Sequence, residues 1–98
     1  MVDPVVPASF PGGEEAMWKF LSERVEYPTS VEAEGTVYVE FDIAVDGAIS
    51  NARIIKGVNG SLDREAKRVV SAFPNWIPAT LDGKPMPSSW IVPIAFRL

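Results

Sequence analysis

From Thr36 to Val45 the chain alternates without a break: Val37, Val39, Phe41, Ile43 and Val45 share one parity, and Thr36, Tyr38, Glu40, Asp42 and Ala44 the other. Period two with a single apolar face predicts a strand that covers a core on one side and meets water on the other. Asp46-Gly47 follows, a strong hairpin signal because both residue types tolerate left-handed backbone. The returning strand, residues 48–56, is less regular. Ile49, Ile54 and Ile55 do not keep one parity, so a bulge is expected. Two segments carry the helical period instead. In residues 14–25, Met17, Phe20, Leu21 and Val25 form a stripe, with Glu14 and Glu15 in the first turn where the helix dipole favours negative charge. Tyr27-Pro28 ends this helix, because a residue before proline is pushed out of helical geometry. In the second helix Leu62, Ala66, Val69, Val70 and Phe73 form one stripe, with Ser61 as candidate N-cap and Pro74 as the stop. Trp90, Val92, Ile94, Phe96 and Leu98 then alternate as a third strand running to the chain end. The order α-β-β-α-β predicts an α+β domain: a three-stranded antiparallel sheet with two helices packed on one face.

The remaining segments are rich in proline and glycine. Residues 1–13 carry Pro4, Pro7, Pro11, Gly12 and Gly13 without periodicity and are expected to be the end of a linker, with the domain proper at 14–98. Pro4-Val-Val-Pro7 matches PxxP, but no basic residue flanks it as an SH3-type ligand would require. The stretch 73–87, FPNWIPATLDGKPMP, is expected to be a fixed corner: Trp76 packs on the core, Asp82-Gly83 turns the chain, and Pro85 and Pro87 stiffen its approach to the last strand.

Composition narrows the functional classes. At 98 residues the chain forms one domain, which buries roughly 60 to 65% of its unfolded surface and leaves little room for a deep cleft. A net charge of -4 argues against nucleic acid or an anionic membrane as partner. There is no histidine, the commonest general base and metal ligand, and no cysteine. Neither catalysis nor a cofactor is expected. No apolar run is long enough to span a bilayer, and the N-terminus lacks the regions of a signal peptide.

Individual candidates point the same way. Glu40 and Asp42 share a strand face, but without a pocket the pair reads as a solvated surface. Asp42, Asp46 and Gly47 lack the spacing of a calcium loop. Gly57-x-x-Gly60 reads as a turn, since a nucleic-acid clamp is at odds with an acidic chain. Gly12-Gly13 before a helix is a poor phosphate cradle beside Glu14 and Glu15. Arg64, Lys67 and Arg68 lie opposite the apolar stripe of the second helix and read as its solvated face. One candidate survives. The last strand follows a long connection and contains Pro93, which lacks the N–H a central strand must donate, so it is expected at a sheet edge, where an extended peptide can pair with its free backbone groups.

The segments FPGGEEAMWKFLSERVEYP, GTVYVEFDIAVDGAISNARIIKGV, LDREAKRVVSAFPNWIPA and WIVPIAFRL closely resemble, in this order and spacing, the C-terminal domain of TonB-type energy transducers, particularly the form common in Bacteroidetes. The resemblance covers about residues 10–98. It implies a periplasmic binding module whose full-length protein is anchored in the inner membrane and driven by proton-powered motor proteins through an N-terminal part absent here. Such a module grips the TonB box of an outer-membrane transporter by strand pairing and transmits proton-motive energy for uptake of nutrients such as siderophores. The chain as written is expected to grip but not to pull. Carried over residue by residue, the resemblance assigns partner binding to Ser89, Trp90, Ile91, Val92, Pro93, Ile94, Ala95, Phe96 and Arg97, and to a second patch at Arg24, Val25, Glu26 and Tyr27. Within residues 29–35, a helix found in some relatives is expected to shrink to a turn. The alternative is an envelope-interaction or sensing domain fused to a membrane sensor or peptidase-like protein. Strand exchange into a homodimer would use the same edge.

Overall fold

A computed structural model describes residues 4–28 and 33–97. The elements in chain order are β1 (Val5–Val6), α1 (Glu14–Arg24), β2 (Gly35–Ile43), β3 (Ile49–Lys56), α2 (Gly60–Ser71), β4 (Ala79–Leu81), β5 (Lys84–Met86) and β6 (Ser88–Phe96). The main sheet has the order β3-β2-β6 and is antiparallel throughout. Its inner face carries Val37, Val39, Phe41 and Ile43 of β2 and Val92, Ile94 and Phe96 of β6, all buried. Leu62, Ala66, Val69 and Val70 of α2 and Met17 and Leu21 of α1 close over that face in one continuous core. The expected α+β arrangement, two helices on a three-stranded antiparallel sheet, is the one found.

Several boundaries differ for identifiable reasons. The alternation of β2 stops at Ile43, and Val45 lies exposed in the turn. That turn is closed by the Gly47 N–H donating to the Ala44 carbonyl at 2.9 Å and by the Asp46 carboxylate accepting from the Ala48 N–H at 3.0 Å. The irregularity of β3 resolves into two register shifts against β2, one of them at Asn51, whose φ is 55°. The extra residues bring Ile54 opposite Val39 and Ile49 opposite Ile43, and they leave Ile55 exposed. The N-cap of α2 is Asn59 rather than Ser61. Its backbone is extended, and its side-chain oxygen accepts from the Leu62 N–H at 2.9 Å, satisfying a donor of the first turn.

A second small sheet, order β1-β4-β5, was not expected. Asp82 and Gly83, at φ 50° and 80°, join β4 to β5 as a tight hairpin of the kind Asp-Gly favours, and Pro85 sits on its outer strand. Residues 1–13, read as the end of a linker, supply β1, which pairs with β4. They also supply Ala8 and Phe10, both buried in the core. A two-residue strand between prolines leaves no periodicity to detect, which is why the segment looked like a tail. The turn expected within 29–35 and the chain end at Leu98 fall at least partly on residues 29–32 and 98, outside the described residues.

The corner at 73–87 is fixed as expected. Trp76 is buried, and its backbone N–H donates to the Gly47 carbonyl at 2.9 Å, tying the corner to the β2–β3 turn. Gly47 has φ +88°, and a Cβ there would be driven into the Trp76 carbonyl. Gly47→Ala should therefore destabilise the domain by about 2 kcal/mol or more, measured by urea unfolding. Asn59→Ala, which removes only the α2 cap, should cost about 1 kcal/mol in the same assay.

Candidate functional site

The last strand lies where its proline suggested. β6 pairs with β2 over nine consecutive residues, from Gly35 opposite Phe96 to Ile43 opposite Ser88, with no shift of register. Among the described residues no strand pairs with its other side. An unpaired, unbulged edge presents a regular row of backbone donors and acceptors to another extended chain. The other edge, β3, is interrupted by its two bulges and is a poorer template.

Side chains along β6 split by parity. Val92, Ile94 and Phe96 point into the core and offer a partner no side chain. Ser89, Ile91 and Ala95 are exposed on the outer face and Pro93 is half-buried. Trp90 is half-open on the inner side against Trp76, with ring centroids 5.7 Å apart, and Arg97 is exposed just beyond the strand.

One stretch of β6, Pro93 to Ala95, lines an open cleft of about 550 Å³. Trp18, Leu21, Ser22 and Val25 supply a wall from α1 and its C-cap, and Thr36 and Tyr38 of β2 complete the lining. A smaller hollow, about 350 Å³, adjoins it toward Trp90, and Trp18 and Pro93 line both. Sequence reasoning missed this wall. The available signal was Trp18 itself, which lies off the apolar stripe of its helix.

The second patch, Arg24 to Tyr27, divides around the first. Val25 lines the cleft, and its N–H caps α1 by donating to the Leu21 carbonyl at 2.9 Å. Tyr27 meets Phe96 edge-on, ring centroids 5.8 Å apart, which ties the patch to the end of β6. Glu26 turns instead toward α2, where its N–H donates to the Glu65 carboxylate at 2.6 Å. Arg68 holds the same carboxylate at 2.7 Å and donates to the Arg24 carbonyl at 3.0 Å. The Arg24 guanidinium lies 5.0 Å above the Phe20 ring. Arg68, read as part of a solvated face, is thus half of a clasp between α2 and the end of α1.

The outer sheet face is neutralised locally. Arg53 of β3 bridges Glu40 at 2.6 Å and Asp42 at 3.0 Å, and Asn51 donates to Asp42 at 3.2 Å. The hydrogen bonds from Asn51 and then Arg53 hold the Asp42 carboxyl below the usual carboxylate range. The pair that resembled an acid–base couple is a clamp on one arginine. Among the described residues no group of three or more His, Cys, Asp or Glu side chains could hold a metal ion, and no helix is long and apolar enough to cross a membrane.

Residues 24–98 match the family of Gram-negative bacterial TonB protein C-terminal domains. The chain is also similar to the solution structure of the TonB C-terminal domain of Helicobacter pylori, with a TM-score of 0.63 at 22% identity over 90% of this chain and 86% of that one. A second solution structure of the same domain, a shorter form, gives a TM-score of 0.57 at 23% identity over 85% of this chain and 90% of that one. At these identities the likeness is one of fold. No curated protein matches the chain.

The clasp on residues 24–26 is pH-sensitive. Hydrogen bonds from Arg68 first, and from the Glu26 N–H, hold the Glu65 carboxyl below its ordinary value of 4.5. Its contribution to stability is fully present above that value and is lost as pH falls through the lower, folded one. The stability gap between wild type and Glu65→Gln should therefore shrink as pH is lowered from about 6 to about 3. A gap that stays constant in urea unfolding across that range would refute the assignment.

Proposed function

The chain belongs to the family of TonB C-terminal domains, and on that premise we propose that it binds the TonB box of outer-membrane transporters by adding the box as a strand to the free edge of β6. Membership makes it a periplasmic interaction module of TonB type. The finer reading rests on one observation, the nine-residue unbulged edge of β6, with an open cleft beside Pro93 to Ala95. Main-chain pairing supplies affinity there, and side chains on alternate positions set register.

In this reading Ser89 to Arg97 form the pairing surface. Val25 and Tyr27 support its far end, and Arg24 and Glu26 fix the position of that support through α2. The full-length protein is held in the inner membrane, and proton-driven motor proteins act on its N-terminal part. The energy for uptake reaches the transporter through the paired strand.

Synthetic peptides copied from the N-terminal segments of outer-membrane transporters should shift backbone amides of Ser88–Phe96 and their β2 partners in titrations followed by NMR. Perturbation confined to α2, with β6 silent, would rule out edge pairing.

A further inference from the structure

The hollow beside Trp90 is not accounted for by backbone pairing. Phe10, Met17, Trp18, Trp76, Trp90 and Pro93 form most of its wall, so that all three tryptophans of the chain meet in one place. Phe10, Met17 and Trp18 precede the stretch 24–98 that matches the family model. Trp18 does not hold α1 to the core, which Met17 and Leu21 do. It stays 41% exposed, its indole N–H directed to Glu14 of its own helix at 3.3 Å. Trp76 is only 4% exposed, yet its indole N–H has no hydrogen-bond partner among the described residues. The hollow is continuous with the free β6 edge through Trp18 and Pro93, so a chain paired to that edge passes its mouth.

We propose that this hollow is the specificity pocket of the edge site and takes one aromatic side chain of the strand paired to β6. The inference rests on strand addition at β6, because only a chain held against that edge turns every second side chain toward Trp90. An aromatic ring suits it better than an aliphatic chain. The wall offers ring faces and edges from Trp18, Trp90 and Phe10, and aromatic pairs gain beyond the area they bury. The ring also covers Trp18, an exposed aromatic of the kind that anchors interfaces.

The test uses the whole chain and three nine-residue peptides of alternating Thr and Val, identical except for Phe, Leu or Ala at the centre. NMR reads the β6 amides and the three indole N–H signals separately. All three peptides should shift the β6 amides. Only the Phe peptide should shift the Trp18 and Trp76 indoles, and it should bind at least about tenfold tighter than the Ala peptide, the size expected of a buried aromatic anchor. Moving Phe by one residue turns it to the opposite face and should abolish the gain. Trp18→Ala should bring the ratio to about twofold or less and Trp18→Phe should restore it. Equal affinities with β6 still responding would overturn the pocket and leave strand addition standing. Indole shifts with silent β6 amides would overturn both.

Discussion

Trp76 is the side chain on which the separate elements converge. Its ring lies 5.2 Å from Phe41 of β2, 5.8 Å from Phe10 and from Phe73, and 5.7 Å from Trp90 of β6. Phe73, just past the end of α2, in turn meets Phe20 of α1 at 5.4 Å, so α1, the segment that leaves α2, the N-terminal segment and the sheet share one aromatic cluster. The backbone repeats the arrangement. The Trp76 N–H reaches the β2–β3 turn, and Ile77 exchanges two hydrogen bonds with Ser9 at 2.8 and 3.0 Å. Removing such a ring from a core typically costs about 3–5 kcal/mol, a large share of a small domain's stability. The corner that holds it cannot be a free linker, because it must present both ring and backbone to several elements at once.

The same corner decides where the chain is open. By turning through the β4–β5 hairpin it delivers β6 to the side of β2 opposite β3, and among the described residues no strand pairs with the other side of β6. The two edges of the main sheet are then treated differently. On β3 the bulges break the row of backbone groups, and Arg53 draws Glu40 and Asp42 into a local clamp. On β6 the register is unbroken, and the residues that line the cleft beside Pro93 to Ala95 are all uncharged. One edge is protected from stray pairing and the other is kept available.

How much of this the sequence disclosed depends on the range of the interactions. The alternation of Val37 to Ile43 and of Trp90 to Phe96 is local and strong, and it placed the two strands and their buried faces. Pro93 placed β6 at an edge for a reason contained in the residue itself. The cap was misread because Asn59 and Ser61 are both good cap residues, and only the extended backbone at Asn59 separates them. The packing of Ala8 and Phe10 depends on a two-residue strand, and the clasp of Glu65 on Glu26 joins residues 39 apart; neither leaves a pattern within a window of sequence. Trp18 was legible in part: an aromatic off the stripe signals exposure, but not that β6 lies beside it.

The geometry of β6 also bears on what a gripped strand could withstand. A chain paired along this edge and pulled along its axis would load its hydrogen bonds in shear, all together, and the load would pass to β2 through a register that is itself unbroken over nine residues. Val92, Ile94 and Phe96 resist peeling of β6 because each is sunk in the core, and Tyr27 against Phe96 braces the end. A force applied at β3 would instead meet two bulges before reaching the central strand. An open edge and a strand deeply buried on its inner face are both present in β6, and the small sheet that steers the chain into β6 is what makes them coincide.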